Sequence, residues 1–355
     1  MTERISTIRR IVEKHEADAA LISFLPDIRW AVGFSGSNAL LVVTREAAHF
    51  LTDGRYSAQA AAEVQGAEVH VPDSELIEFL AESEMLAAGS TVLCQADHLT
   101  LDQFDRLESK LPRVAFEPAA DLLQREVAAK SEAEIDAIRR ALAVTEAVFE
   151  SLLPQIGPGV TERDLAAEIV YQHLKRGASA MSFEPIVASG IRGALPHARP
   201  SGKTFQPGEL VVIDMGGIVD GYASDMTRTV AVGEPDEAAR RAYAVVLDAQ
   251  QSAAAEVRAG ASGKQLDRVA RNVIEEAGLG EYFSHSLGHG VGLQVHEWPR
   301  LSHRTDDTLP ENAVVTVEPG VYLPERFGIR IEDMVVARAA GPEVLTQTPK
   351  SLLIL

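Results

Sequence analysis

Four carboxylates and a run of histidines in the second half of the chain carry the side chains best placed to do chemistry. In ELVVIDMGGIVDGYASDMTRTVAV, residues 209–232, Asp214 ends the apolar run VVID, where a lone carboxylate loses solvation at a cost of several kcal/mol. Asp225 lies on what reads as the returning strand of an antiparallel pair. That pairing lets the two carboxylates face one another on one side of the sheet, which is destabilising unless a proton or a cation separates them. Either Asp alone reads better as a turn cap; the pair inside hydrophobic strands does not. VVTVEPG puts Glu318 at the end of another apolar strand, and GIRIEDMVV puts Glu332 in the middle of one. Alternation there sets Ile329, Ile331 and Asp333 on one face, with Arg330 and Glu332 on the other. A buried Glu needs a partner, and Arg330 alone would serve as a structural ion pair. The histidines come from SHSLGHGVGLQVHEWPR, where His285, His289 and His296 are interleaved with Gly288, Gly290 and Gly292. Those glycines argue for a strand or loop with close backbone approach rather than a helix. His197 stands apart in ALPHARP, stiffened by flanking prolines.

Asp214, Asp225, Glu318 and Glu332 bring four negative charges and His289 a neutral nitrogen, so two divalent cations would neutralise the set. Oxygen-rich ligation with one imidazole suits Mn²⁺, Co²⁺, Fe²⁺ or Zn²⁺. Two such ions about 3.5–4 Å apart share a water and lower its pKa enough to supply hydroxide near pH 7, which is hydrolase chemistry.

The elements that must position these groups fall into two parts. The chain has 355 residues, with 33 Lys plus Arg against 52 Asp plus Glu, a net charge of −19. That length suggests two domains at roughly 100–200 residues each. So acidic a surface disfavours bulk nucleic-acid binding, no apolar run approaches a membrane span, and the N-terminus lacks a signal-peptide core. Cys94 is the sole cysteine, which excludes an intramolecular disulfide and a multi-Cys zinc site; the expected location is the cytoplasm. The first third alternates helices and strands: a helix over 2–16, strands at 19–22, 39–43, 49–52 and 91–94, an Ala-rich helix over 57–65, and a capping box at Thr100 and Gln103. This predicts a mixed sheet covered by helices. The boundary falls near 122–130, giving domains 1–125 and 126–355, before a long helix boxed by Ser131 and Glu134.

The second part contains an internal repeat. With an offset of 101, Gly159, Thr161, Leu165 and Gly177 match Gly260, Ser262, Leu266 and Gly278. Each copy has a glycine turn, a hydroxyl N-cap, a helix and a terminating glycine, follows a longer helix (131–151 and 236–258) and precedes a β-rich stretch. Two ordinary helices can share ordinary caps, but the repeated order predicts a pseudo-symmetric α+β domain with its site between the halves.

With these residues in place the sequence resembles the pita-bread metallopeptidases of the aminopeptidase P and prolidase branch. The resemblance spans the whole chain and rests on VVIDMGG, YASDMTRT, SLGHGVGLQVHE, TVEPGVY and GIRIEDM taken together. It implies a creatinase-like N-terminal domain before an α+β pita-bread catalytic domain. It also implies a ligand set of Asp214, Asp225, His289, Glu318 and Glu332 for two ions, Mn²⁺ first, with Asp225 and Glu332 bridging and Glu318 also shuttling protons. By the same resemblance His197 and His296 contact the substrate carbonyl and the developing oxyanion, His285 is a neighbouring pocket histidine, and Arg300, which fits both the aminopeptidase and the prolidase type, helps bind a substrate carboxylate or is a structural counter-charge. Arg330 either binds substrate or is a structural counter-charge. Creatinase shares the fold without the ligand set, and non-catalytic peptide-binding or histone-binding relatives show broken sets. The implied substrates are short proline-containing peptides, and the implied assembly is a homodimer. FSGSNALLVV and FLTDGRY (34–43 and 50–56) resemble short bacterial aminopeptidases P, so that type is expected, with Xaa-Pro dipeptidase (prolidase) the alternative. Asp53-Gly54-Arg55-Tyr56 also reads as an exposed turn with a buried Tyr.

Overall fold

The structure is a computed structural model that describes residues 2–355. It divides into two compact units, one ending at Val127 and one beginning at Ala128. The first holds helices α1 (Thr2–Lys14), α2 (Leu25–Val32), α3 (Ser57–Glu63), α4 (Leu76–Glu82) and α5 (Leu101–Lys110). Its strands are β1 (Ala19–Ile22), β2 (Ala39–Thr44), β3 (Ala48–Thr52), β4 (Glu68–His70), β5 (Thr91–Gln95) and β6 (Ala115–Ala119). They form one mixed sheet ordered β4-β3-β2-β1-β5-β6, antiparallel through the β2–β3 hairpin and parallel at β1–β5, β5–β6 and β3–β4. Leu21, Val42, Leu51, Val92, Cys94 and Leu107 pack into its core. Thr100 and Gln103 form the capping box that starts α5. The turn at Asp53-Gly54-Arg55-Tyr56 differs from expectation in its last residue: Tyr56 is only half-buried, edge-on to Phe34, with its hydroxyl 2.5 Å from that of Ser37.

A short helix α6 (Gln124–Ala128) crosses the division, and the second unit follows with α7 (Glu132–Leu152), α8 (Glu162–Lys175), α9 (Glu237–Ala255) and α10 (Gly263–Glu276). Its first strands are β7 (Ala180–Met181), β8 (Ile186–Ser189), β9 (Leu210–Met215), β10 (Gly217–Val219), β11 (Tyr222–Ala223) and β12 (Met226–Ala231). The rest are β13 (Gly288–Gly290), β14 (Glu297–Leu301), β15 (Val314–Val317), β16 (Gly320–Leu323), β17 (Phe327–Arg330), β18 (Asp333–Arg338) and β19 (Gly341–Val344). Two apolar clusters fill this unit. One joins α7 and α8 to Val187, Val211, Ile213, Val314 and Val336, and the other joins α9 and α10 to Leu210, Val315, Val317 and Val335. Adjacent strand residues thus enter opposite clusters, which is why β9 and β18 carry the apolar runs Leu210–Ile213 and Met334–Ala337 without polar alternation.

The repeat has a structural counterpart. Thr161 and Ser262 cap α8 and α10 through their hydroxyls, and Gly159, Gly177, Gly260 and Gly278 all adopt positive φ, a conformation that favours glycine at these turns. Thr161 bridges Thr204 in one half as Ser262 bridges Thr308 in the other.

The next residue of each copy divides the labour. Gly263 lets the β14 backbone pass, since a Cβ there would lie 2.2 Å from the Arg300 carbonyl oxygen. At the matching position the fully buried Glu162 accepts the amides of Ser189 (2.8 Å) and Ser201 (3.0 Å), both serine hydroxyls (3.0 and 2.7 Å) and Arg192 Nε (2.9 Å). One carboxylate therefore pins both ends of the segment that carries His197. Burial pushes its pKa up, but the bonds from Ser201, Ser189 and Arg192 outweigh it and hold the group below its ordinary value. A depressed carboxylate pKa stabilises the fold fully above the ordinary glutamate range and loses that stabilisation as pH falls through the folded value. Glu162→Gln, which leaves donors facing an amide, is expected to cost about 1–3 kcal/mol at neutral pH. Its deficit should shrink below about pH 4; urea midpoints of both proteins across pH 3–7 measure this, and a pH-independent deficit would contradict the charge argument.

Candidate functional site

The strand registers decide how the candidate residues meet. In the β9–β12 hairpin Asp214 pairs with Thr227 and Met215 with Met226. Asp225 therefore follows on opposite Gly216 and lies diagonal to Asp214 on the same face, rather than directly across from it. A side chain on Gly216 would run into the Ser224 carbonyl, which is how the turn before Asp225 stays tight. Glu332 departs from the single strand expected for it: β17 pairs with β16 and β18 with β15, and the chain bends at Ile331–Glu332 between them. Gly320 pairs with Arg330 and Val317 with Asp333, so the same register carried through the bend places Glu318 opposite Glu332. His289 is the middle residue of β13, between β14 and β15. Cβ atoms on Gly288 and Gly290 would lie 2.0 Å from the Thr316 oxygen and 2.4 Å from the Trp298 oxygen. The glycines are thus what let three backbones close around the histidine.

Asp214, Asp225, His289 and Glu332 are buried at 8, 5, 6 and 1% exposure. His289 Nε2 lies 3.3 Å from Glu318 Oε1 and 3.7 Å from Asp225 Oδ2, and single ligand atoms of Asp225, His289 and Glu332 fall within 4.8 Å of one another. The other ring nitrogen, Nδ1, sits 3.0 Å from the Gly290 carbonyl and must donate to it. A neutral His289 then presents a lone pair at Nε2 to carboxylate oxygens that also carry only lone pairs. Acceptor faces acceptor, and a cation between them resolves it. Asp214 Oδ1 and Glu332 Oε1 are buried with no hydrogen-bond partner, whereas their sister oxygens are held by Arg330 (2.5 Å) and Thr227 (2.7 Å). Each carboxylate is oriented through one oxygen and leaves the other open, as metal ligands do. The residues fit a divalent-cation centre.

Electrostatics agree. Burial, then the charges of Glu332, Asp214 and Glu318, drives Asp225 well above the carboxylate range. Glu332 rises for the same reasons, burial first and then Glu318 and Asp214. Asp214 rises by burial despite Arg330. Glu318 goes the other way: burial opposes ionisation, but positive charge at His289 Nε2, here a ring proton standing where a cation would, overcomes it. Without positive charge these groups compete for protons; with it they ionise together.

The carboxylates Asp214, Asp225 and Glu318 and the histidines His197, His285, His289 and His296 all line one cavity of about 500 Å³ with Arg300 and Arg330. Phe183, Pro185, Ile186, Pro196 and Pro200 supply an apolar, proline-rich share of the same lining. His296 lies edge-on to His289 with ring centroids 4.3 Å apart. Partial burial, then His289 and Arg300, lowers its pKa to about 4, so it is neutral at pH 7 and keeps an N–H to donate. The exposed Arg300 pairs across the strands with His289, and its guanidinium has no ion-pair partner among the described residues.

Two candidates take other places than a substrate contact. Arg330 is buried, and its guanidinium is engaged by Thr227 Oγ1 (3.1 Å), Pro196 O (3.2 Å), the Tyr322 hydroxyl (2.7 Å) and Asp214 (2.5 Å). Its hydrogen bonds thus go to the protein itself, with Asp214 as its ion-pair partner. His285 lines the cavity but spends Nδ1 on the Ser286 carbonyl (2.8 Å) and Nε2 on the Tyr322 hydroxyl (2.8 Å), so both ring nitrogens are already engaged. Burial lifts the Tyr322 pKa to about 12 and lowers that of His285, which keeps the tyrosine protonated and donating to a neutral imidazole. Tyr322 and Thr227 orient the site yet drew no notice in the sequence. Both lie inside the motifs TVEPGVY and YASDMTRT, and Thr227 is two residues from Asp225, the spacing that shares a strand face.

Residues 136–339 match metallopeptidase family M24, and residues 4–126 match the creatinase/prolidase N-terminal domain. The chain belongs to metallopeptidase family M24. Its fold is the pita-bread fold of that family, preceded by the creatinase-type domain. Among family relatives, a protein named Xaa-Pro dipeptidase from Pyrococcus horikoshii is 36% identical, with 99% of each chain covered. A solved Xaa-Pro dipeptidase from Bacillus anthracis superposes with a TM-score of 0.96 at 36% identity, covering 99% of each chain. A solved X-Pro aminopeptidase from Thermotoga maritima gives 0.90 at 38% identity, covering 98% of this chain and 100% of that one. No helix among the described residues is long and apolar enough to cross a membrane.

Proposed function

We propose that this M24 peptidase is a dinuclear Xaa-Pro dipeptidase that cleaves the bond between an N-terminal residue and a C-terminal proline. The reading moves from the aminopeptidase P type expected from FSGSNALLVV and FLTDGRY. Those segments build the β2–β3 hairpin and the turn after it, features of the N-terminal fold rather than of substrate length. The observation that carries the dipeptidase reading is Arg300, a cation without a carboxylate partner on a cavity lined by prolines. A dipeptide Xaa-Pro places its free carboxylate on the proline itself, and an arginine grips it with charge-assisted hydrogen bonds. The relatives named dipeptidase support the same choice.

In this reading Asp214, Asp225, His289, Glu318 and Glu332 hold two divalent cations, with Asp225 and Glu332 shared and Mn²⁺ the first ion to test. When bound, the cations lower the pKa of water so that hydroxide is available near pH 7. The chain's own residues do the rest. Phe183 and the prolines exclude water around a ring whose nitrogen has no N–H to satisfy. Glu318 accepts the proton released by the nucleophile and delivers it to the prolyl nitrogen as the amide bond breaks. His296 donates its N–H to the carbonyl oxygen as negative charge grows there, and His197, in the same lining, contacts that carbonyl too.

Steady-state kinetics on Xaa-Pro and Xaa-Pro-Yaa after loading with Mn²⁺ test the reading. The dipeptide should be the better substrate, and Arg300→Ala should lower its kcat/KM about tenfold to a hundredfold, mostly through KM, because a charged hydrogen bond contributes roughly 1.5–3 kcal/mol. The tripeptide, with an amide at that place, should change little. Preference of the wild type for the longer peptide would restore the aminopeptidase P reading, and equal losses on both substrates would make Arg300 a structural residue.

A further inference from the structure

Away from the catalytic cavity, two histidines and a glutamate meet at the edge of the N-terminal sheet. His49 lies on β3, and Glu68 and His70 lie on β4, the three-residue edge strand. The strands run parallel with His49 opposite Glu68 and Leu51 opposite His70, so alternation sends all three side chains to one face. His49 Nδ1 lies 3.2 Å from His70 Nε2, and Glu68 Oε2 lies 3.5 Å from the first nitrogen and 3.8 Å from the second. The ring of Phe79, on α4, stands 5.9 Å from that of His70, and the two histidine side chains are only 16 and 18% exposed.

Ligand atoms on a tetrahedral Zn²⁺ with bonds of about 2.0–2.1 Å stand about 3.3–3.4 Å apart. The three atoms here already outline one face of that tetrahedron. A single proton shared between the rings accounts for the contact between the two nitrogens. It does not account for a carboxylate oxygen placed beside both nitrogens, only one of which then carries hydrogen. Burial and then the neighbouring His70 lower the His49 pKa against the pull of Glu68. We propose that His49, His70 and Glu68 form a second, separate metal site for one borderline divalent ion of the Zn²⁺ class, with water completing the shell. Two imidazoles and a carboxylate suit such an ion. Its consequence is mechanical: among the described residues β4 has β3 as its only strand neighbour, and the ion clamps residues 49 and 68–70 across that edge.

The test uses untagged full-length protein equilibrated with Zn²⁺, cleared of excess by dialysis, and counted by plasma mass spectrometry. Wild type should hold one equivalent more than His49→Gln and one more than Glu68→Gln, the second being an exposed position where folding is not at stake. The same difference should persist in an Asp225→Asn background. The difference, not the total, is the readout, so it is independent of how many ions the catalytic cavity takes. As a second readout, Zn²⁺ at a hundred times its Kd should slow exchange of the β4 amides up to about a hundredfold in wild type alone. Equal zinc content in wild type and either variant would overturn the proposal.

Discussion

Asp225→Asn is expected to lower turnover of Xaa-Pro substrate by at least about 10³-fold, equivalent to roughly 4 kcal/mol, while the apo protein keeps its fold. Asp225 is buried with ligand atoms of His289 and Glu332 within 4.8 Å, and in the proposed centre its carboxylate would be shared by both cations. An asparagine there offers one weak neutral oxygen and an N–H₂ that points hydrogens at a cation, so it supplies neither the charge nor the second oxygen. Metal content should fall together with rate. The fold should survive because burial and the charges of Glu332, Asp214 and Glu318 all oppose ionised Asp225. Removing one charge from that crowd relieves repulsion, and the metal-free variant should melt no lower than metal-free wild type. Metal analysis, thermal melts with chelator and kcat/KM on one dipeptide decide it. A variant that held two ions and kept more than about a tenth of the activity, a loss below ~1.4 kcal/mol, would remove Asp225 from the bridging role.

What the sequence made legible here follows a physical line. The apolar runs around Asp214, Glu318 and Glu332 marked those carboxylates as buried, and burial of charge demands compensation; nothing beyond residue types was needed to infer a cation. The helix caps at Thr100, Ser131, Thr161 and Ser262 were readable because their bonds are local, three residues apart. Register was not readable. Nothing local says that Asp214 pairs with Thr227 instead of Asp225, or that the β15–β18 and β16–β17 ladders break at Glu318 and Glu332. That break is what lets two residues on opposite strands turn toward each other. The role of Arg330 was undecidable for the same reason. Its partners Asp214, Pro196 and Thr227 lie more than a hundred residues away, and only their arrival turns a pocket arginine into a saturated counter-charge. His49 and His70 passed unnoticed because a parallel crossover through α3 brings them together, and a spacing of twenty-one residues matches no local ligand pattern.

His296→Ala should lower kcat about 10²–10³-fold and leave KM within a few fold. The ring lies on the cavity wall against His289, close enough to the proposed cation centre to face a carbonyl placed there. Its pKa of about 4 means that at pH 7 it is a neutral donor, not a fixed positive charge. A neutral N–H gains little from the weakly charged oxygen of an intact amide and much from the oxyanion that forms as the carbonyl becomes tetrahedral. The contribution therefore appears in the transition state, where loss of one such donor typically costs 10²–10³-fold in kcat. His296→Gln, which restores an N–H₂ on a side chain of similar reach, should recover part of the loss, whereas a purely steric role would not respond to it. If instead KM rose with kcat unchanged, His296 would be holding ground-state substrate, and the oxyanion contact would have to come from His197, set on the segment that Glu162 fastens at both ends.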